Sequence, residues 1–133
     1  MEVVPYLVFS GNCEEALKFY EQVLGAKIDA VMKNEGSPAM GMMPPDWGDK
    51  VLHAKFTLDG HEVMASDAPP GHYAKPQGIS MSLGLDDTAK GEQIFNQLAE
   101  GGAVTMPFQA TFWAKGFGMC TDRFGIPWMV NCE

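Results

Sequence analysis

The stretch SGNCEEALKFYEQVLGA, residues 10–26, is typical of a turn that leads into an amphipathic helix. Its apolar residues recur at spacings of three and four, and its charged residues fall on the opposite side. Gly11 and Asn12 favour a turn and a helix start, and Gly25 is of the residue type that most often ends a helix. We therefore predict a helix over residues 13–24.

Short apolar runs around this helix predict strands, which gives the first half of the chain the order β-α-β-β-β. The last two strands are joined by Asp59-Gly60, a dipeptide typical of tight hairpins. An irregular stretch rich in Gly, Pro and Met, residues 34–49, predicts a long loop. The predicted strands are residues 5–10, 26–33, 51–58 and 62–66.

The same order begins again at residue 79, with a capped amphipathic helix that carries Ile94, Phe95 and Leu98. The predicted strands of this half are residues 79–85, 104–111, 117–121 and 126–131. Pro5 aligns with Ser80, 75 residues on, whereas Gly60 aligns with Gly125, 65 residues on. The first copy therefore holds about ten extra residues, which we place in the long loop.

The repeat predicts an α+β fold of two β-α-β-β-β modules within a single domain, residues 1–133. Module one covers residues 1–68 and module two residues 79–133, with a linker at 69–78. A single ferredoxin-like sandwich with an extra hairpin is the alternative.

Composition narrows the class of protein. A chain of 133 residues that is 46% hydrophobic has the size and apolar content of one folded domain. No segment approaches the roughly 20 apolar residues of a membrane span, and a net charge of −8 disfavours nucleic-acid binding.

Cys13, Cys120 and Cys132 are scattered along the sequence, which argues against disulfide bonds and a zinc site and favours a reducing cytoplasm. Cys120 lacks an evident partner base, so we expect a small buried residue rather than a nucleophile.

Three segments carry a resemblance to a known family. They are residues 10–26, HAKFTLDGHEVMASDA at 53–68, and QATFWAKGFGMCTDRFGIPWMVN at 109–131. Together they resemble the PhnB-like branch of the vicinal oxygen chelate superfamily, which includes glyoxalases, bleomycin-resistance proteins and dioxygenases. The resemblance implies paired modules whose sheets curl into a cup with the helices outside, commonly in a homodimer.

Many members of this superfamily hold a divalent metal on the floor of the cup, on His or Glu side chains of the first and fourth strand of each module. By alignment with those members, the four positions here are Pro5, Met64, Ser80 and Met129. Proline and thioether sulfur offer nothing to a cation that prefers oxygen, and one serine hydroxyl is a poor ligand. We therefore expect no metal and no cofactor.

Some PhnB-like sequences are described as demethylubiquinone methyltransferases, which implies a site for S-adenosylmethionine. The glycine-rich loop that a Rossmann-like methyltransferase presents after its first strand is missing, because SGN is too short a match. The residues therefore do not support that activity.

Strand alternation predicts which side chains share the cup face with the four aligned positions. The cup-facing set is Leu7, Phe9, Ser66, Ser82 and Asn131. The helix-facing set is Tyr6, Val8, Met81, Leu83, Leu85, Trp128 and Val130. On the strand at 51–58, His53, Lys55 and Thr57 alternate with apolar residues, so we expect them to face the cup or solvent.

His53 is the best candidate for chemistry, because a histidine can act near neutral pH as a general base or as a donor to an anionic ligand. A hydrogen-bonded structural histidine is the alternative. His61 and His72 are expected to be solvated, and adjacent His61 and Glu62 cannot complete a metal cluster with His53, because they point to opposite faces. Asp67 either orients His53 or caps the turn that follows it.

An aromatic pair and the long loop each allow two interpretations. Phe112 and Trp113 form either an aromatic wall for a planar ligand or part of the core. The long loop, with Met40, Met42 and Met43, forms either a pliable lid or a dimer contact.

We favour a cytoplasmic homodimer whose cup binds a small, partly hydrophobic molecule without the usual metal, and which contacts neither nucleic acid nor membrane. The predicted binding residues are Phe9, Lys55, Met64, Ser66, Ser80, Phe112, Trp113 and Met129. The alternative is an isomerase, lyase or dioxygenase-like enzyme that uses His53 or a non-standard metal site.

Overall fold

A computed structural model describes residues 1–133, which divide into two compact units, Met1–Ala74 and Lys75–Glu133. The first unit consists of β1 (Tyr6–Phe9), α1 (Cys13–Leu24), β2 (Lys27–Lys33), a short 3-10 helix (Pro38–Met42), β3 (Val51–Leu58) and β4 (His61–Asp67). The second consists of β5 (Met81–Leu85), α2 (Thr88–Ala99), β6 (Ala103–Gln109), β7 (Gly116–Thr121) and β8 (Pro127–Cys132). Both units have the order β-α-β-β-β, so the predicted α+β fold of two modules is confirmed.

Each unit contains its own mixed, four-stranded sheet. The strand orders are β1-β4-β3-β2 and β5-β8-β7-β6, with the first two strands of each order parallel and the others antiparallel. The identical topology confirms the internal repeat. Two separate sheets also exclude the single ferredoxin-like sandwich.

Helix α1 covers one face of the first sheet. Ala16, Leu17 and Tyr20 are buried on the helix, and the Tyr20 ring stacks on Phe56 of β3 with centroids 5.9 Å apart. Burying one large apolar side chain stabilises a fold by about 1.5–3 kcal/mol, so this face anchors the helix. Gly25 ends the helix with a φ of 69°, a left-handed conformation that glycine adopts without strain.

The register of β1 corrects the predicted orientation of that strand. Tyr6, not Pro5, lies opposite Met64, and Phe9 is fully buried on the face that α1 covers. The predicted cup-facing positions of Pro5, Leu7 and Phe9 are therefore wrong. Tyr6 lies opposite Met64, and Ser82 lies opposite Met129. These two equivalent residues are 76 positions apart in sequence, whereas the predicted pair Pro5 and Ser80 are 75 apart. A slip of one residue turns every side chain of a strand to the other face.

The predicted faces of the second sheet are confirmed. Ser82 lies opposite Met129, and Phe117 lies opposite Asn131. Trp128 and Val130 are fully buried on the other face, where α2 packs. We call the side of each sheet that lies away from its helix the open face.

Asp67 joins three segments of the first unit. Its Oδ1 accepts hydrogen bonds from the backbone N–H groups of Gly11 and Cys13, and its Oδ2 accepts one from Val51, all at 2.9 Å. Asn12, the N-cap of α1, makes no side-chain capping bond. The carboxylate therefore caps α1 from the end of β4, and neither predicted role for Asp67 is correct.

Asp122 plays a comparable part in the second unit. One carboxylate oxygen accepts from the backbone N–H groups of Phe124 and Ile126, and the other accepts from the indole N–H of Trp128. Asp122 is buried. The segment from Asp122 to Trp128, part of the family resemblance, thus builds the β7–β8 hairpin.

The long loop is held closed at its base. The backbone N–H of Asn34 donates to the Lys50 carbonyl, and that of Glu35 donates to the Gly48 carbonyl. Asn34 and Trp47 are both buried, and the side-chain amide of Asn34 donates to the Trp47 carbonyl. The segment is therefore more regular than its composition predicted, although Met42 stays exposed.

Replacement of Asp67 by alanine should lower the free energy of unfolding by about 3 kcal/mol, because three backbone donors lose a charged acceptor. Urea unfolding followed by circular dichroism measures the change. Asp49→Ala, at an exposed aspartate, is the matched control and should change stability by less than about 0.5 kcal/mol. Equal stability of the two variants would contradict the capping role.

Candidate functional site

The open face of the first sheet carries a polar group built on three strands. Tyr6, Met64 and Lys55 form one row across β1, β4 and β3. His53 and Ser66 lie one residue beyond the Ala54–Ala65 pair and belong to the next row. His53 and Lys55 lie on this face, away from the helix, with His53 half-buried and Lys55 exposed. Tyr6 joins them because β1 has the opposite orientation from the one predicted.

Tyr6 and His53 meet above strand β4. The Tyr6 hydroxyl lies 3.2 Å from His53 Nδ1, and the two ring centroids are 5.8 Å apart. Because β4 separates β1 from β3 in the sheet, this hydrogen bond spans the central strand. When the phenol donates to Nδ1, the neutral imidazole carries its proton on Nε2 and presents a free N–H donor.

Two lysines lie on this face, Lys55 and, beside Thr57, Lys27, which pairs with Asp29. Lys55 is exposed and belongs to neither the Lys27–Asp29 nor the Lys33–Glu14 ion pair. Its ammonium group is therefore available to a ligand.

The open face of the second sheet carries an aromatic group. Phe112 is 97% exposed and Trp113 46% exposed, so both are outside the core. Trp113 contacts Phe112 and Phe117 edge to face, with centroids 4.8 and 5.3 Å apart. We call these three rings the aromatic platform.

A hydrogen-bond chain fixes the indole of the platform. Trp113 Nε1 donates to Asn131 Oδ1 at 3.2 Å, and Asn131 Nδ2 donates to Glu133 Oε1 at 3.1 Å. Met129, two residues before Asn131, is half-buried on the same face, and Ser80 directly precedes β5. The indole is thus held by an amide whose own orientation is fixed.

The residues present do not fit a divalent metal. With Tyr6 in place of Pro5, the aligned positions still offer no imidazole or carboxylate beside Met64 and Met129. No three side chains among the histidines, cysteines, aspartates and glutamates come together as a metal site. His61 and His72 are exposed, as predicted.

The three cysteines are buried and unpaired. Burial and, secondarily, the charges of Asp67 and Glu14 raise the pKa of Cys13 from 9.0 to about 12. Burial and then Asp122 raise the pKa of Cys120 to about 11. For Cys132, burial and then Asp87 raise the pKa. All three are protonated at neutral pH, which removes the thiolate that nucleophilic catalysis needs.

At pH 8 an aromatic disulfide reagent should therefore leave the native protein unmodified, and should titrate all three thiols after unfolding in urea. Absorbance of the released thiolate measures both states. Rapid modification of any thiol in the native protein would contradict these raised pKa values.

The family model described as 3-demethylubiquinone-9 3-methyltransferase matches residues 1–131. The chain belongs to this family. It is 37% identical to protein YjdN of Escherichia coli K12 over 98% of this chain and 95% of that protein. The crystal structure of PA1353 from Pseudomonas aeruginosa matches with a TM-score of 0.89 at 48% identity, covering 100% of this chain and 98% of the other.

A PhnB protein from Bacillus cereus, described as a putative 3-demethylubiquinone-9 3-methyltransferase, matches with a TM-score of 0.86 at 26% identity and full coverage of both chains. The resemblance to the PhnB-like branch is confirmed. No helix of this chain is long and apolar enough to cross a membrane.

The family description names a methyl transfer, which needs a methyl donor. Rossmann-like methyltransferases bind that donor at the carboxyl ends of parallel strands, beside a helix N-terminus. Here each sheet is mixed, and the Gly11 and Cys13 N–H groups at the start of α1 already donate to Asp67. The residues of this chain therefore do not fit a donor site of that kind.

Proposed function

We propose that this protein binds a small, partly hydrophobic molecule on the open faces of its sheets, without a divalent metal. The observation that carries the proposal is the aromatic platform, because the part-exposed Trp113 ring, held by Asn131, offers apolar area at little cost in conformational entropy. Met129 and Ser80 extend this face. On the open face of the first unit, Lys55, Met64 and Ser66 are separate candidate contacts for such a molecule.

The hydrogen bond that holds Trp113 supports a role of this exposed ring in ligand binding. The indole N–H already donates to Asn131, so a ligand that covers the ring does not bury a donor without an acceptor. A planar apolar ligand stacked there would bury surface that is now exposed to water, which stabilises a complex by about 25 cal/mol per Å².

Replacement of Trp113 by alanine should weaken binding of the neutral planar probe 2-naphthol about tenfold, the equivalent of about 1.4 kcal/mol of lost contact. Amide chemical shifts of the ¹⁵N-labelled protein report both affinity and location. Phe19→Ala, on α1 and so on the side of the first sheet opposite its open face, is the control and should bind like the parent. An unchanged affinity of the Trp113→Ala protein would contradict the platform.

An enzymatic function is the second candidate, and the Tyr6–His53 hydrogen bond favours it. A tyrosine that orients a half-buried imidazole on an open face positions a proton donor or acceptor, as general acid–base catalysis of isomerase or lyase type requires.

His53→Ala should still bind 2-naphthol on the aromatic platform but lose turnover. Mass spectrometry of a metabolite mixture incubated with the parent and the variant should show products only with the parent. Tyr6→Phe, which keeps the ring, should give an intermediate rate. Equal product formation by the parent and His53→Ala would exclude catalysis through His53.

We infer further that the protein acts in the cytoplasm as a homodimer. Three buried, unpaired thiols suit a reducing compartment. Apolar side chains at sheet edges and at the ends of elements, such as Ile79 and Val104, are exposed in the single chain and would be covered in a dimer.

A further inference from the structure

We propose that the open face of the first sheet binds the oxyanion of a small molecule, a carboxylate or a phosphate, between the ammonium of Lys55 and the imidazole of His53. This site rests on the proposed small-molecule binding and names the chemical class of the ligand. The aromatic platform belongs to the other unit and takes no part in it.

The spacing of the two side chains suits an oxyanion. His53 and Lys55 point to the same face of β3 and are separated by one residue, so their Cα atoms lie about 7 Å apart. Two long side chains at that distance can both reach one carboxylate or phosphate group placed between them. Ser66, in the same row as His53, adds a hydroxyl donor.

The Tyr6–His53 hydrogen bond prepares the imidazole for this role. In the tautomer in which the phenol donates to Nδ1, the neutral ring carries its proton on Nε2 and offers an N–H donor. The face then offers the three N–H donors of Lys55, the Nε2–H of His53 and the hydroxyl of Ser66. Donors without competing acceptors are what an oxyanion requires.

The distribution of charge points to the same ligand. The chain carries a net charge of −8, and two of its lysines, Lys27 and Lys33, lie within 4.0 Å of a carboxylate. Lys55 is in neither pair. The acidic side chains of this face, Asp29 and Glu62, lie beside Thr57, one row further along β3. The Thr57 hydroxyl donates a hydrogen bond to the Asp29 carboxylate at 2.6 Å.

Apolar side chains flank the donors. Met64 lies between Tyr6 and Lys55 in the first row, and Met32 lies opposite His53 on β2. A ligand with an anionic group and an apolar body therefore finds both kinds of contact within two rows of the sheet. Thioether side chains adapt to different apolar shapes, which suits the body of such a ligand.

Titration with inorganic phosphate and, separately, with acetate tests the site, with sodium chloride at matched ionic strength as the reference. We expect saturable shifts of the amides of His53, Lys55 and Ser66 in the ¹⁵N-labelled parent. Lys55→Gln should weaken the anion response about tenfold. Lys18→Gln removes the same charge from an exposed position on α1 and should bind anions like the parent.

Tyr6→Phe should weaken the anion response by a smaller factor, about threefold, because His53 then loses the hydroxyl that holds its ring in place. The two anions distinguish the ligand class, since tighter binding of phosphate favours a phosphate-bearing molecule and tighter binding of acetate a carboxylate. Equal anion responses of the Lys55→Gln and Lys18→Gln proteins would overturn the site.

Binding of 2-naphthol by the same Lys55→Gln protein separates this inference from the proposed function. Retained naphthol binding with a lost anion response supports the oxyanion site. Naphthol binding in a parent that shows no saturable anion response overturns the oxyanion site and leaves the platform standing. A saturable anion response without naphthol binding overturns the platform alone.

Discussion

The carboxylate of Asp67 is the contact on which the first unit depends. It accepts hydrogen bonds from the turn before α1 and from the first residue of β3, while its own backbone ends β4. Val51 starts the strand that carries His53 and Lys55, so the same carboxylate fixes where that strand begins. The positions of His53 and Lys55 on the open face therefore depend on the buried hydrogen bond from Val51 to Asp67 on the opposite side of the sheet.

Local patterns predicted most elements because each depends on neighbours in sequence. The three- and four-residue spacing in α1, Gly25 after it and Asp59-Gly60 between β3 and β4 act over a few residues. The orientation of β1 was predicted wrongly because a strand of four residues with apolar side chains on both faces contains no pattern that distinguishes them. Only its pairing with β4, more than 50 residues away in sequence, decides the face.

The candidate site was predicted in part for the same reason. His53 and Lys55 lie on a strand with clear alternation, and Phe112 and Trp113 stand out as adjacent aromatic residues. Tyr6 was assigned to the covered face because of the slipped strand, and its bond to His53 joins residues 47 positions apart. The bond from Trp113 to Asn131 likewise joins a loop to a strand. Contacts of this kind leave no trace in local sequence.

The two helices differ in what starts them. Asp87 caps α2 with its own side chain, which accepts from the Lys90 N–H, whereas α1 takes its cap from a residue 54 positions beyond Cys13. Cys132 occupies in the second unit the position that Asp67 occupies in the first, opposite Leu85 as Asp67 is opposite Phe9. On a ribosome, α2 has its cap as soon as its first turn emerges. The cap of α1 is in place only once the β3–β4 hairpin has brought Asp67 to the start of the helix, so this contact couples the elements of the first unit to one another.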